Sequence, residues 1–215
     1  MRLVGMGPLG PFFLALYVRG GGVAVDVSAA RLVMSADDLR RALRRIAHEI
    51  VERNQGASNL VFLGVPRPGP VLASRLAKAV AEFEGVDVLT GAIDISLYRD
   101  DLKQRVPTPD IYPTEIPDDV NDKDVVLVDD VLYTGRSARA ALDALTDFGR
   151  PRSIQLAVVV DRGHRELPIR ADYVGMNIPT APNESVEVSL AEIVGEDAVR
   201  IVVDRPCEET NATAS

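Results

Sequence analysis

Apolar positions in the middle of this chain recur in two rhythms, short unbroken runs and runs at helical spacing, and the two rhythms alternate. Leu39, Leu43, Ile46, Ala47 and Ile50 share one side of a 3.6-residue spiral, which predicts an amphipathic helix up to about Arg53. Ser35 followed by Asp38 writes a capping box at its start. Asn59 to Val65 is a short apolar run that reads as a buried strand, and the turn Pro66 to Pro70 leads into a helix with Leu72, Leu76, Ala79, Val80 and Phe83 inward. Val86 to Ile95 gives a further strand or strand pair. From Leu97 to Lys123 the chain is polar, carries four prolines and has no period; a loop this long in a compact domain is disordered or a working lid.

Val125 to Val128 opens the next strand, and Ala138, Ala141, Leu142, Leu145 and Phe148 mark its following helix, ended by Gly149 and Pro151. Ile154 to Val160 is another buried strand, and Tyr173 to Met176, Val186 to Leu190 and Val199 to Val203 are shorter ones. Strands alternating with helices predict an α/β fold with a mainly parallel central sheet and helices on both faces.

The whole chain has 215 residues, the size of one good domain. Its net charge of −8 argues against whole-surface attraction to nucleic acid, so any such binding needs a local basic patch. The single cysteine, Cys207, has no partner within the chain, which fits a reducing, cytoplasmic setting. Leu3 to Val18 is mostly apolar but is broken by Gly5, Gly7, Pro8, Gly10 and Pro11. That stretch is short for a membrane span and lacks a clear signal cleavage site. Residues 1–33 are therefore read as an extension outside the fold, with Met34 an alternative first residue, residues 34–205 as the domain, and residues 206–215 as a polar tail.

The chemistry concentrates between Val125 and Leu145. Asp129 and Asp130 end the buried run, where ligands of open α/β sheets bind, and offer acceptors suited to a sugar diol. Thr134, Gly135, Arg136 and Ser137 follow, with hydroxyls, a residue free to take unusual φ, and amides at a helix N-terminus aimed at an anion. A doubly wound protein whose strand merely ends in acids leaves that turn unexplained.

This order of strand, acid pair, phosphate turn and helix resembles the phosphoribosyl pyrophosphate (PRPP) signature of type I phosphoribosyltransferases. The strings RIAHEI, DISLYRDDL, DVVLVDDVLYTGRS, GRPRSIQLAVVVDRGHRELPIRADYVG and NIPT, in this order, resemble the PyrR family of pyrimidine operon attenuation proteins and uracil phosphoribosyltransferases. The resemblance runs from about Ser35 to Val203 and implies a type I phosphoribosyltransferase fold with a small hood and a flexible lid loop. It implies the reaction of uracil with PRPP to UMP and diphosphate with Mg2+, Asp129 and Asp130 on the ribose hydroxyls, and Val131, Leu132, Tyr133, Thr134, Gly135, Arg136 and Ser137 around the 5′-phosphate. Tyr98 and Arg99 then open the lid, with Arg99 suited to neutralising the leaving group, while Arg162, Met176 and Ile178 line the base. The resemblance identifies no sure protein ligand for the metal.

Two departures stand out. The family's pyrophosphate loop usually reads Thr-Arg-Gly, where this chain has Arg67, Pro68 and Gly69. Proline brings no backbone donor; Arg67 could reach the same oxygens, and a cis Arg67–Pro68 bond is one way to reshape the loop. Met176 stands where the family commonly has lysine, and its thioether can lie against the face of a base or simply fill core.

Arg41, Arg44, Arg45 and His48 form a stripe on the first helix, and His164, Arg165 and Arg170 join Arg162 in a second basic cluster. Such a stripe is ordinarily a wet helix face; by resemblance these two segments bind leader mRNA of a pyrimidine operon when UMP or UTP is bound, with Arg44 standing where the family typically has threonine. The resemblance further implies a homodimer or higher homo-oligomer and no membrane partner. Two rivals remain: an RNA attenuator that senses nucleotide with vestigial catalysis, and a phosphoribosyltransferase for another base with no RNA role.

Overall fold

The computed structural model describes residues 30–100, 113–117 and 119–203. The expected lid therefore lies outside the described residues except for its root and its return, as do Cys207, the apolar N-terminal run and the tail.

Helix α1 (Ala36–Asn54) starts at the foreseen box: the Ser35 hydroxyl accepts from the Asp38 amide at 3.3 Å, and the Asp38 carboxylate accepts from the Ser35 amide at 3.0 Å. The Ser35 hydroxyl bond is the main reason the Asp38 carboxyl is held down at about 2. Strand β2 (Leu60–Gly64) is buried throughout, and α2 (Gly69–Glu84) returns across it to β3 (Leu89–Ala92). Strand β4 (Asp124–Leu132), α3 (Arg136–Thr146), β5 (Ser153–Asp161) and β6 (Tyr173–Asn177) follow. The five strands form one parallel sheet in the order β3-β2-β4-β5-β6.

Residues on the two faces of the sheet enter separate cores, as the period of two demands. Phe62, Val126, Val128 and Val159 pack with α1 and α2, whereas Val61, Leu63, Val125, Leu127 and Val158 pack with α3. The foreseen parallel sheet with helices on both faces is thus present.

A second sheet, antiparallel in the order β1-β8-β7, is made by β1 (Arg31–Met34), β7 (Glu184–Ser189) and β8 (Ala198–Val203), with the short helix α4 (Ala191–Val194) between the last two. It corresponds to the expected hood. Arg75 of α2 ties it down, donating to Glu192 at 3.0 Å and to both Asp197 oxygens at 2.9 and 2.7 Å.

Three expectations need correction. Residues 31–33, assigned to an extension outside the fold, belong to β1, which pairs with β8; a partner so distant in sequence leaves no local signal. Phe148 does not face inward but is 46 % exposed, because α3 stops at Thr146 and the chain turns. The stretch Leu97 to Lys123 is not all loop: Ser96–Tyr98 is a 3₁₀ turn, and Glu115 exchanges two hydrogen bonds of 2.8 Å with Ala92.

Candidate active site

Strand order locates the site before any side chain is considered. From β2 the chain moves outward to β3, then crosses to β4 and proceeds the other way to β5 and β6. The direction reverses between β2 and β4, and the crevice of an open parallel sheet lies at the carboxyl ends of that pair. Gly64 is in register with Val128, so the Val65–Gly69 loop lies beside Asp129 and Asp130.

That loop is pressed close to the sheet. The Val65 amide donates to Val128 O at 2.9 Å and the Gly69 amide to Val65 O at 3.0 Å. A Cβ on Gly64 would stand 2.2 Å from the Gly69 carbonyl carbon, and one on Gly69 would stand 2.5 Å from Val128 O, so both positions require glycine. The Arg67–Pro68 bond is cis; Pro68 is buried and Arg67 is exposed.

Asp129 is only 4 % exposed and accepts the Asp130 amide at 2.9 Å; the Asp130 carboxylate accepts the Val131 amide at the same distance. Local backbone bonds thus fix both carboxylates at the strand end. Gly135, at φ +92°, occupies the N-cap of α3. Having no side chain, it leaves the first-turn amides of that helix uncapped by its own residue, the arrangement that receives an anion. The Arg136 amide reaches Thr134 Oγ1 at 3.3 Å.

The lid root is docked on the same helix. Arg99 Nη1 donates to Ser137 Oγ at 3.3 Å, and the Asp100 carboxylate pairs with Arg136 and, at 3.5 Å, with Arg139. Glu166 also holds Arg136, at 2.7 Å. Asp100 belongs to the lid root that the sequence singled out together with Tyr98, Arg99 and Asp101, whereas Glu166 escaped because an acid next to an arginine looks like ordinary surface charge. Tyr98 is not brought to the cradle: its hydroxyl binds Asp147, the C-cap of α3. That carboxylate pushes the Tyr98 hydroxyl pKa up. The eleven-residue helix separates this point from the cradle by about 16 Å at 1.5 Å per residue.

Among the residues expected at the base, Arg162 is buried, its guanidinium lying 4.1 Å from the centre of the Tyr133 ring and donating to Thr180 Oγ1 at 3.0 Å. Ile178 is 6 % exposed with its side chain in the main core, and its amide is committed to Asp161 O at 2.9 Å. Met176 is partly buried against the same core.

The side chains of the two basic groups are engaged in different ways. Arg41 is paired with Asp38 and Arg45 with Glu49, each at 2.7 Å; Arg45 also donates to the carbonyls of Val174 and Gly175. Arg44 is exposed, and His48 stacks on Phe83 with ring centres 3.9 Å apart. Arg170 lies on the other side of the sheet, lining a small cavity with Leu127, Ala138 and Leu142. His164 Nε2 lies 2.7 Å from Thr180 O. Arg165 turns onto the backbone carbonyls of Tyr133 and Ile169 and onto Asp161, leaving its side chain 22% exposed.

Among the described residues no three carboxylate, histidine or cysteine side chains converge as a metal cage. The two aspartates suit a magnesium ion that arrives with diphosphate oxygens and keeps its waters. Among the described residues no helix is long and apolar enough to cross a membrane.

A family model described as the phosphoribosyl transferase domain matches residues 35–193, spanning α1 to β7. Hypoxanthine phosphoribosyltransferase from Trypanosoma cruzi, in complex with the product IMP, superimposes with a TM-score of 0.60 at 22% identity, covering 82% of this chain and 90% of that one. A hypoxanthine-guanine phosphoribosyltransferase (hpt-2) from Bacillus anthracis gives 0.58 at 20%, covering 80% and 97%. Fold and crevice are those of a type I phosphoribosyltransferase. Bifunctional protein PyrR of Deinococcus radiodurans is 60% identical over 169 residues, covering 79% of this chain and 92% of that protein. Those of Thermus aquaticus and Clostridioides difficile are 59% and 57% identical, over 79% of this chain and 93% and 96% of theirs. The chain belongs to the PyrR family, as its motifs led us to expect.

Proposed function

We propose that the protein transfers phosphoribose from PRPP to uracil, giving UMP and diphosphate, and regulates pyrimidine genes by binding their leader mRNA when loaded with UMP or UTP. The observation that carries the enzymatic half is the pair Asp129–Asp130 beside the N-terminus of α3, whose N-cap is a glycine, at the β2/β4 crevice. The carboxylates accept from the ribose hydroxyls while the amides and hydroxyls of residues 131–137 hold the 5′-phosphate, so the anomeric carbon is fixed between them. As the bond from that carbon to the diphosphate oxygen breaks and the bond to uracil N1 forms, positive charge grows on the ring and negative charge on the leaving group, and the proton of uracil N1 leaves to water or to the departing diphosphate. The buried Asp129 faces the first, and Arg99 and Arg67 answer the second. Bound magnesium supplies charge neutralisation to the diphosphate. Arg162, Met176 and Ile178 flank the base, with backbone carbonyls there accepting from uracil N3–H. Arg41, Arg44, Arg45 and His48 provide the RNA-facing helix, and the protein works as a homo-oligomer.

The second reading, a nucleotide sensor with vestigial catalysis, is favoured by Pro68, which removes a side-chain cation and an amide from the pyrophosphate loop. Labelled uracil with PRPP and magnesium, run beside guanine and hypoxanthine, tests both. UMP formation alone supports the proposal; IMP or GMP formation without UMP overturns it. No product from the wild type, with activity gained in Pro68→Arg, selects the sensor.

A further inference from the structure

The turn from Leu132 to Gly135 rests on a second layer, the arch from Asp161 to Ile169. Every carbonyl of the turn is occupied from that side or by its own helix. Leu132 O accepts the Arg162 amide at 3.1 Å and Arg165 Nη1 at 3.4 Å; Tyr133 O accepts the same Nη1 at 2.7 Å; Thr134 O accepts the amides of Glu166 and Leu167, both at 3.0 Å. Gly135 O accepts the Arg139 amide at 3.0 Å as α3 begins. These peptides are trans, and a trans unit sets its C=O and N–H in opposite directions. Carbonyls pinned toward the arch therefore send the amides of Tyr133, Thr134 and Gly135 outward, into the crevice.

One side chain links both layers. The Arg165 guanidinium, with its side chain 22% exposed, also donates through Nε to Ile169 O at 2.9 Å and through Nη1 to Gly163 O at 3.1 Å, and it is ion-paired with Asp161. Leu167 and Ile169 stand directly under the turn: a Cβ on Gly135 would lie 3.4 Å from the Cβ of each. A planar fork of five donors in fixed geometry serves several carbonyls at once, with more donors and less freedom to lose than the three of an ammonium on a flexible stem.

We infer that Arg165 is a positioning residue for the phosphate cradle, its guanidinium holding the carbonyls of Leu132 and Tyr133 back so that the amides of the turn are aimed at a 5′-phosphomonoester. The role rests on the reading of residues 131–137 as the phosphate site, and it differs from the RNA contact that the sequence suggested for this residue.

Calorimetry with UMP and with uridine separates aim from fold, since only UMP carries the phosphate. The wild type should prefer UMP; Arg165→Met should lose about tenfold in UMP affinity while uridine changes less than about twofold, and the KM for PRPP should rise by a similar factor with that for uracil unmoved. Arg165→Lys should recover part of the loss. Equal losses for UMP and uridine, or an Arg165→Met protein with the wild-type preference, overturn the inference and leave the cradle standing. A wild type that binds UMP no better than uridine overturns the cradle itself, and the inference with it. Should Arg165→Met fail to fold by circular dichroism, Asp161→Asn, which keeps the shape but weakens the arginine's anchor, carries the same comparison and should show a smaller loss in the same direction.

Discussion

Arg136 stands at the entrance to the phosphate turn with two acids on it, Asp100 from the lid root and Glu166 from the arch. Both partners are partly exposed, so each pair contributes little in water, commonly below about 1 kcal/mol. In the proposed reading of residues 131–137 as the phosphate site, an incoming phosphate would compete with them for the same guanidinium. Asp100→Asn should therefore lower the KM for PRPP, by about two- to fivefold on that scale, and initial-rate kinetics at varied PRPP will show it; an unchanged or higher KM means that Asp100 does not restrain Arg136. Gly64 and Gly69 illustrate another residue-level demand, since the clash at each is with backbone that cannot swing aside.

The junction between α2 and the hood turns on Arg75, whose side chain is 19% exposed. Its hydrogen bonds pull the carboxyls of Glu192 and Asp197 below their ordinary 4.5 and 3.8, against a desolvation that raises them. Depressed folded values mean that the unfolded chain takes up protons first as the pH falls. The stabilisation is present in full above about pH 5 and is lost as pH falls through the depressed values. Arg75→Met should cost about 2 kcal/mol near neutrality, between an exposed pair and a fully buried one, and less in acid. Thermal unfolding from pH 7 to 2.5 checks this: the wild-type and Arg75→Met midpoints should converge on the acid side, and a constant gap would show that the carboxylates are not responsible. At the sheet's edge, Arg45 serves as an element-level clasp, fastening α1 to the β6 carbonyls.

For the molecule as a whole, a net charge of −8 means that RNA must be met locally and against a repulsive background. The exposed Arg41 and Arg44 of the α1 stripe are the residues proposed for that role. Arg41→Ala with Arg44→Ala should weaken leader RNA binding about tenfold and flatten its salt dependence, as expected for two lost phosphate contacts. Uracil phosphoribosyltransferase rates should stay at the wild-type level, neither residue lying at the crevice. A gel shift across salt concentrations with the double variant decides it; undiminished binding would move the RNA surface elsewhere.

Local pattern alone determined much: the capping box at Ser35, the buried strands, the acid pair and the glycine that opens α3 are all encoded within a few neighbouring residues. Those features depend on short-range periodicity and backbone preference, which a linear string carries in full. Tertiary structure alone decided that Arg31–Met34 is a strand, since its partner lies at the other end of the domain. It also decided the fate of each arginine. A guanidinium reads the same whether water, a carboxylate or a row of carbonyls surrounds it, and only the packing of the β5–β6 connection beneath the turn sends Arg165 inward while Arg44 stays in solvent.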